Sequence, residues 1–338
     1  MSSFPNRPLV SLCLGWLCFV QCVGPEQSPA LTPRTGAAQE RNAADPTASS
    51  SRNTGASDAG APGPFESTEG CELRWSWTDP VLGEIPVVVI VPARAKAEDR
   101  LPVLVAFHGR GESQKGPARG VRGWLDDYQL GHTLERLAAP PLTRDDFKGF
   151  VTDSRLKEHN ARLQRQPYRP LIIVMPYLPD ALKRVEVFDN GAALATLIVD
   201  RVLPRVYSET PARVGATGVD GVSLGGRASL LVGLSRPRAF AVVGAMQAAL
   251  DDSELDAFAA LGEQAHRANP RLELRLLTTR DDPFLDVNTE LHARLERRAV
   301  PSELRVVPGP HSYTFNRGPG GYEMLLFQES ELYDLGEP

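Results

Sequence analysis

Short apolar runs without sustained alternation recur in the second two-thirds of this chain. They are LPVLVAF (101–107), PLIIVMP (170–176), AFAVVGAM (239–246), LELRLLTT (272–279) and ELRVVP (303–308). A strand with one face in water alternates apolar and polar residues, whereas a strand covered on both faces does not. These runs therefore predict strands of a parallel sheet that is covered on both sides by helices.

A β-hairpin is predicted before these runs. The segment LRWSWTD (73–79) alternates, and EIPVVVIVP (84–92) is apolar and rich in β-branched residues. The turn signal DPVLG separates the two segments, as expected for adjacent antiparallel strands.

Helical patterns separate the later strands. They are ALATLIVDRVLPRV (193–206), ASLLVGLS (228–235) and NTELHARLERRA (288–299). This alternation of strands and helices predicts one α/β domain over residues 66–338. Residues 112–168 lack strong strand patterns and contain two helical stretches, so we expect a helical insertion or a lid over the carboxyl edge of the sheet.

The N-terminal residues 1–24 have the pattern of an export signal. Arg7 precedes an apolar run of signal-peptide length, although an accidental apolar start is the alternative. The segment FVQC, which ends at Cys22, resembles a lipoprotein cleavage box, but Gln21 stands where a small residue is usual. We expect a periplasmic, secreted or surface-anchored protein, and membrane attachment through a lipid on Cys22 stays open.

Residues 25–65 are dominated by Pro, Ala, Gly, Ser and Thr, and Leu31 is their only large aliphatic residue. Such a segment buries too little apolar surface to offset the entropy of ordering it. We expect a disordered tether between the export signal and the folded domain.

Composition excludes several classes of protein. The formal charge of −5 at pH 7 gives no sign of a nucleic-acid surface. Cys71 is the only cysteine beyond the signal segment, so a disulfide framework is excluded. No cluster of His, Cys and carboxylate residues has metal-ligand spacing, so we expect no metal. A cation site at the aspartates of residues 280–286 is the alternative interpretation.

The segment GVDGVSLGGRASL places Ser223 between a short strand and a helix. A nucleophile on such a tight, strained turn needs small neighbours, which Gly221, Gly225 and Gly226 supply. A glycine-rich turn without chemistry is the alternative interpretation.

A serine nucleophile needs a base, and His311 is our candidate among the six histidines. It follows the last strand, at the edge of the sheet where Ser223 also lies. We expect His108 to brace its loop through its ring nitrogens. The histidines in helical or polar stretches, which we expect to be surface or packing residues, are His132, His159, His266 and His292.

The acid that orients His311 should follow the strand 272–279, where RDDPFLD supplies Asp281, Asp282 and Asp286. Asp282 is favoured because the following proline biases it towards an extended backbone. We expect Asp281 to face solvent or cap the turn, and Asp286 to be the N-cap or a first-turn acid of the next helix. The order Ser, Asp, His is the one used by α/β-hydrolases.

The oxyanion of a tetrahedral intermediate requires hydrogen-bond donors. The Leu224 N–H at the start of the helix is the first candidate. The second is the Arg110 N–H in the loop HGRGES after the strand 101–107.

At FHGRGES, DGVSLGGRASL, RDDPFLDVNTELHARL and VVPGPHSYTF the chain resembles the α/β-hydrolase superfamily. The similarity is to its esterase D-like branch, with feruloyl esterases and mycolyl transferases, and covers roughly residues 84–335. It implies a mostly parallel eight-stranded sheet and a cofactor-free Ser223–His311–Asp282 triad; the assignment of Asp282 also rests on this similarity.

The residues and the resemblance together predict an exported carboxylesterase that forms an acyl-enzyme on Ser223. We expect a small-molecule or polysaccharide-linked ester as substrate and no nucleic-acid partner. The alternatives are an acyltransferase or peptidase using the same triad, and a surface binding protein on an inactive hydrolase scaffold.

Overall fold

A computed structural model describes residues 71–93, 95–180 and 187–335 of the 338-residue chain. The predicted export signal, with Cys22, and the predicted tether lie outside the described residues. Within the described part, no helix is long and apolar enough to span a bilayer.

Eight strands form one sheet. In chain order they are β1 (Cys71–Asp79), β2 (Gly83–Val91), β3 (Leu101–Phe107), β4 (Ile172–Pro176), β5 (Ala212–Gly221), β6 (Val242–Met246), β7 (Glu273–Asp281) and β8 (Glu303–Pro310). Their spatial order is β1-β2-β4-β3-β5-β6-β7-β8. Strand β2 is antiparallel to both of its neighbours, and the other neighbouring pairs are parallel. The predicted hairpin and the mostly parallel eight-stranded sheet are confirmed.

Helices connect the strands. They are α1 (Arg110–Ser113), α2 (Pro117–Gly120), α3 (Leu130–Ala138), α4 (Asp153–Arg165), α5 (Val187–Leu197), α6 (Leu203–Glu209), α7 (Leu224–Ser235), α8 (Leu255–Ala268), α9 (Leu285–Arg297), α10 (Tyr313–Phe315) and α11 (Gly321–Asp334). Other helical turns occur at Gly123–Asp127, Ile198–Val202, Asp252–Glu254 and Asn316–Gly320.

Two adjacent residues of β5 show that helices cover both faces of the sheet. A Cβ placed on Gly233 of α7 would lie 3.0 Å from the Val219 side chain, and a Cβ on Gly218 would meet Gln328 of α11. Because consecutive residues of a strand point to opposite faces, α7 and α11 lie on opposite sides of the sheet. Every residue of β3, β4 and β6 is buried, as their non-alternating patterns predict.

Some boundaries differ from the predicted ones. Strand β5 begins at Ala212, five residues before the predicted TGVDGV run, and continues through Gly215, whose φ is +85°. The predicted helix 193–206 consists of α5, a π-helical turn and α6. Residues 112–168 connect β3 to β4 and contain helices and no strand, as expected, with a stretch without helix at 139–152.

Candidate active site

The carboxyl ends of β3, β5, β6, β7 and β8 share one edge of the sheet because these strands are parallel. The residues that follow these ends are His108 after β3, Ser223 after β5, Gln247 after β6, Asp282 after β7 and His311 after β8. Ligands of open α/β sheets bind outside this edge. The fold therefore gathers residues that are up to 203 positions apart in sequence, from His108 to His311.

Ser223 occupies a strained turn between β5 and α7. Its φ of 59° and ψ of −116° are rare for a residue with a side chain, and its N–H is held by the Met246 carbonyl at 2.9 Å. A Cβ on Gly221 would lie 2.5 Å from the Gly225 carbonyl oxygen, and one on Gly225 would lie 2.6 Å from that of His108. The flanking glycines are therefore a steric requirement of the turn.

A chain of hydrogen bonds joins the three predicted triad residues. The His311 Nε2 is 3.0 Å from the Ser223 Oγ, and the His311 Nδ1 is 2.9 Å from Asp282 Oδ1. Because an ionised carboxylate only accepts hydrogen bonds, Nδ1 carries the proton in the neutral ring and Nε2 is left to accept from the serine hydroxyl.

The Asp282 carboxylate is fully buried and receives further donors. Oδ1 accepts from the Phe284 N–H at 3.0 Å, and Oδ2 accepts from the Thr278 hydroxyl at 2.7 Å. The other two aspartates of this segment lie elsewhere: Asp281 is exposed, and Asp286 lies in the first turn of α9. Of the three candidates, Asp282 is the one that the fold brings to His311.

Both predicted oxyanion donors are the first residues of helices, Arg110 of α1 and Leu224 of α7. The first N–H groups of a helix have no acceptor within it, so they remain available to a ligand. The preceding Gly109 N–H is engaged, because it donates to the Tyr128 hydroxyl at 3.0 Å. Arg110 is the next residue of the loop, and its N–H, as the first of α1, has no acceptor within that helix.

His108 braces the Arg110 loop, as predicted. Its Nδ1 is 2.9 Å from the Gly109 carbonyl, and its Nε2 accepts from the Leu178 N–H at 3.0 Å. These two partners require the neutral ring with a proton on Nδ1, and burial correspondingly lowers the pKa of His108.

The histidines expected to have surface or packing roles are in helices. His132 is exposed on α3, His266 is half-buried on α8, and His292 is bonded to Ser302 from α9. His159 of α4 is buried and lies 3.1 Å from Glu323 of α11. None of these four lines the cavity beside Ser223.

A cavity of about 410 Å³ opens beside Ser223 and His311. Its wall includes six polar residues that our sequence analysis missed: Glu112, Tyr128, Gln247, Ser312, Tyr313 and Asn316. Glu112 stands in the GRGES motif, where its buried position had no sequence signal.

Two tyrosine hydroxyls of the cavity wall donate to Glu112. Tyr313 does so at 2.6 Å to Oε1, and Tyr128 donates to Oε2. Burial and the neighbouring carboxylate raise the pKa of Tyr128 well above its usual value and that of Tyr313 to about 12. Both phenols therefore remain protonated donors near neutral pH.

Gln247 follows β6 and has a left-handed backbone conformation with φ 45°. Its side chain links this position to the ends of β7 and β8. Its side-chain Nε2 donates to the Thr279 hydroxyl at 3.0 Å and to the Pro310 carbonyl at 3.2 Å. The amide thereby connects the segment before Asp282 to the segment before His311. Its Oε1 is buried and has no hydrogen-bond partner among the described residues.

Among the described residues, no group of three or more His, Cys, Asp or Glu side chains is placed to hold a metal ion. The chemistry available at the cavity is that of the serine, the histidine, the buried carboxylate and the two helix N-termini. Such a set can activate a hydroxyl nucleophile and stabilise an anionic intermediate.

Solved structures resemble this chain, whereas no protein-family model and no curated protein matches it. A ferulic acid esterase superposes with a TM-score of 0.54 at 16% identity, over 78% of this chain and 99% of that one. An S-formylglutathione hydrolase from Staphylococcus aureus superposes with a TM-score of 0.51 at 15% identity, over 78% of this chain and 98% of that one. The enterobactin esterase from Shigella flexneri superposes with a TM-score of 0.52 at 19% identity, over 80% of this chain and 62% of that one.

These similarities, together with the strand order, establish the α/β-hydrolase fold for this chain. The fold agrees with the resemblance found in the sequence motifs.

Proposed function

We propose that this chain, which has the α/β-hydrolase fold, is a serine hydrolase and more narrowly a carboxylesterase. The observation that carries the proposal is the hydrogen-bond chain from Ser223 through His311 to the buried Asp282. The strained backbone of Ser223 supports it further, since strain of about 1–3 kcal/mol persists where function requires it.

In the proposed reaction the Ser223 oxygen attacks the ester carbonyl while His311 Nε2 takes the serine proton. The tetrahedral intermediate collapses to an acyl-enzyme when the alcohol leaves with that proton. Water, deprotonated by His311, then attacks the acyl-enzyme and releases the acid. Asp282 holds the ring in the required tautomer and stabilises the imidazolium.

The Leu224 and Arg110 amides are the proposed oxyanion donors. Their support is positional, because each is the first N–H of a helix beside the nucleophile. The positive end of the α7 dipole adds to this stabilisation.

The proposed substrate is a small ester, free or linked to a polysaccharide. A cavity of about 410 Å³ has the size of a small-molecule site. Two neighbours in fold are an enterobactin esterase and a ferulic acid esterase, whose names agree with this class of substrate.

Labelling with a fluorophosphonate tests the mechanism directly. Wild-type protein should be labelled and should hydrolyse p-nitrophenyl acetate, whereas Ser223→Ala should do neither while keeping its melting temperature. Ser208→Ala, at an exposed serine of α6, is the matched control and should behave like wild type. Undiminished turnover by a folded Ser223→Ala protein would refute the proposal.

The chain is further proposed to be exported. Support comes from the apolar run after Arg7 and from the Pro-, Ala-, Gly-, Ser- and Thr-rich segment that follows it. Cell fractionation and N-terminal sequencing test this, and uncleaved chain retained in the cytoplasm would contradict it. Palmitate incorporation that Cys22→Ser abolishes would identify a lipoprotein, whereas cleaved chain without it would identify a secreted or periplasmic protein.

A further inference from the structure

The buried carboxylate of Glu112 joins two loops of the active site. The side chain is only 1% exposed, and each of its oxygens accepts a hydrogen bond from one tyrosine, Tyr313 on Oε1 and Tyr128 on Oε2. Lys115 Nζ, at 3.6 Å from Oε1, partly balances the negative charge. An anion buried this deeply needs such partners to be tolerated.

One tyrosine connects the carboxylate to the loop of the proposed oxyanion donor. The Tyr128 hydroxyl accepts from the Gly109 N–H at 3.0 Å while it donates to Glu112. This bond holds the His108–Gly109 peptide, which is one peptide before the one that carries the Arg110 N–H. Glu112 is thereby connected through Tyr128 to the backbone that leads into the Arg110 amide.

The other tyrosine connects the carboxylate to the loop of the proposed base. Tyr313 lies two residues after His311, and its hydroxyl is 2.6 Å from Glu112 Oε1. The Arg110 loop also packs against this hydroxyl, since a Cβ on Gly111 would lie 2.7 Å from it. A larger residue there would push Tyr313 away from Glu112.

We propose that Glu112 is a positioning residue. Through its hydrogen bonds to Tyr128 and Tyr313, it keeps the Arg110 loop and the His311 loop in the relative positions that stabilise the tetrahedral intermediate. The inference rests on the proposed function and deepens it. Glu112 acts through these neighbours and does not itself touch the reacting atoms. Its loss should therefore weaken binding of the transition state more than binding of the substrate.

The test compares Glu112→Gln with Glu329→Gln. Glu329 of α11 is equally buried and is paired with Arg162 and Arg169, but it does not line the cavity. Each variant is assayed for kcat and KM on p-nitrophenyl acetate and for inhibition by an aryl trifluoromethyl ketone. Ser223 Oγ adds to the ketone carbon, its proton passes to His311, and the ketone oxygen becomes an oxyanion.

Glu112→Gln should lower kcat about 10- to 100-fold, somewhat less than the roughly 10²–10³-fold loss on removing an oxyanion donor itself. KM should stay within about threefold, and the inhibition constant of the ketone should rise by the same factor as kcat/KM falls. Glu329→Gln should lower the melting temperature without changing kcat. The double variant Tyr128→Phe, Glu112→Gln should lose no more kcat than the more impaired single variant, because the two residues act through the same hydrogen bond.

Tyr313→Phe keeps the proposal testable if Glu112→Gln fails to fold, and should lower kcat about three- to tenfold, the scale of one hydrogen bond. Unchanged kcat in a folded Glu112→Gln or Tyr313→Phe protein would overturn the positioning role of Glu112 and leave the proposed function intact. So would a kcat loss in Glu329→Gln as large as in Glu112→Gln. A wild-type protein without turnover or fluorophosphonate labelling would instead overturn the proposed function, and with it the positioning role of Glu112.

Discussion

The Thr278 hydroxyl donates to Oδ2 of Asp282 at 2.7 Å, so the carboxylate oxygen that does not bind His311 is also held by a hydrogen bond. Thr278 belongs to β7 and is fully buried, which makes the anchor part of the rigid sheet. The Phe284 N–H binds the other oxygen at 3.0 Å. Asp282 therefore has one orientation, fixed by the strand before it and the turn after it.

Asp282→Asn should lose most of its kcat, because an amide cannot accept from both Thr278 and the His311 N–H. The corresponding change in serine proteases costs roughly 10⁴ in kcat. Steady-state kinetics with p-nitrophenyl acetate measure the effect. Asp286→Asn, in the first turn of α9, is the control and should lower neither kcat nor the melting temperature greatly. If Asp281→Asn is the crippled variant and Asp282→Asn is fully active, the assignment of the acid is wrong.

Thr278→Val should have a smaller effect of the same kind. Valine fills the same volume in the sheet but donates no hydrogen bond, so the carboxylate keeps two of its three donors. We expect kcat to fall about three- to tenfold, the scale of one hydrogen bond of roughly 0.5–1.5 kcal/mol. Val243→Thr, the reverse change at a buried position of β6, should leave kcat unchanged because it does not line the cavity. A Thr278→Val variant with wild-type kcat would show that the strand does not orient the acid.

The sequence predicted those parts of the site that depend on local pattern. Ser223 and His311 each follow a recognisable strand, and parallel strands bring such residues to one edge whatever the length of the intervening chain. The flanking glycines of Ser223 are a local steric requirement and are therefore visible in the sequence. The choice of Asp282 also drew on the family resemblance.

The parts that sequence analysis missed depend on distant pairs. Tyr313 and Glu112 are separated by 201 positions, and nothing in the sequence around either predicts their hydrogen bond. Helices α8 and α11 were also missed. Helix α11 has mostly buried residues, and without a clear polar face its pattern resembles that of a buried strand.

Gly225→Ala should destabilise the fold as well as abolish activity. The added methyl group would lie 2.6 Å from the His108 carbonyl oxygen and also against that of Phe107, and backbone atoms cannot move aside as a flexible side chain can. We expect a loss of about 2–4 kcal/mol in the free energy of unfolding, the range of severe core strain. Chemical denaturation measures it.

The matched control for that substitution is Gly131→Ala in α3. Apart from the neighbouring residues of the chain and the backbone of the helix itself, nothing lies within 4 Å of the added methyl there, and Ala is favoured over Gly in helices by up to about 1 kcal/mol. This variant should be as stable as wild type or more so, with unchanged kcat. Equal stability of the two alanine variants would contradict the steric account of the turn at Ser223.

Asp220, three residues before Ser223, should make stability depend on pH. It is fully buried, with Oδ1 accepting from the Gly221 N–H at 2.8 Å and Oδ2 accepting from Gln328 Nε2 at 3.1 Å. Burial raises the pKa of Asp220 from 3.8 to about 6, although the nearby Arg275 opposes the shift. Between these two values the folded protein binds more protons than the unfolded chain.

The sign of the pH dependence follows from that difference. Because the folded pKa lies above the unfolded one, the stabilising contribution is complete below about pH 3.8 and is lost as the pH rises through about 6. Asp220→Asn removes this titration. Its amide can still accept from Gly221, and it can donate to Gln328 Oε1, which has no hydrogen-bond partner among the described residues. Urea denaturation of both proteins from pH 7.5 to 4.5 should show the free energy of unfolding of wild type rising relative to Asp220→Asn by about 1–3 kcal/mol as the pH falls. A difference that is constant over this range, or that changes in the opposite direction, would show that Asp220 is ionised in the folded protein throughout.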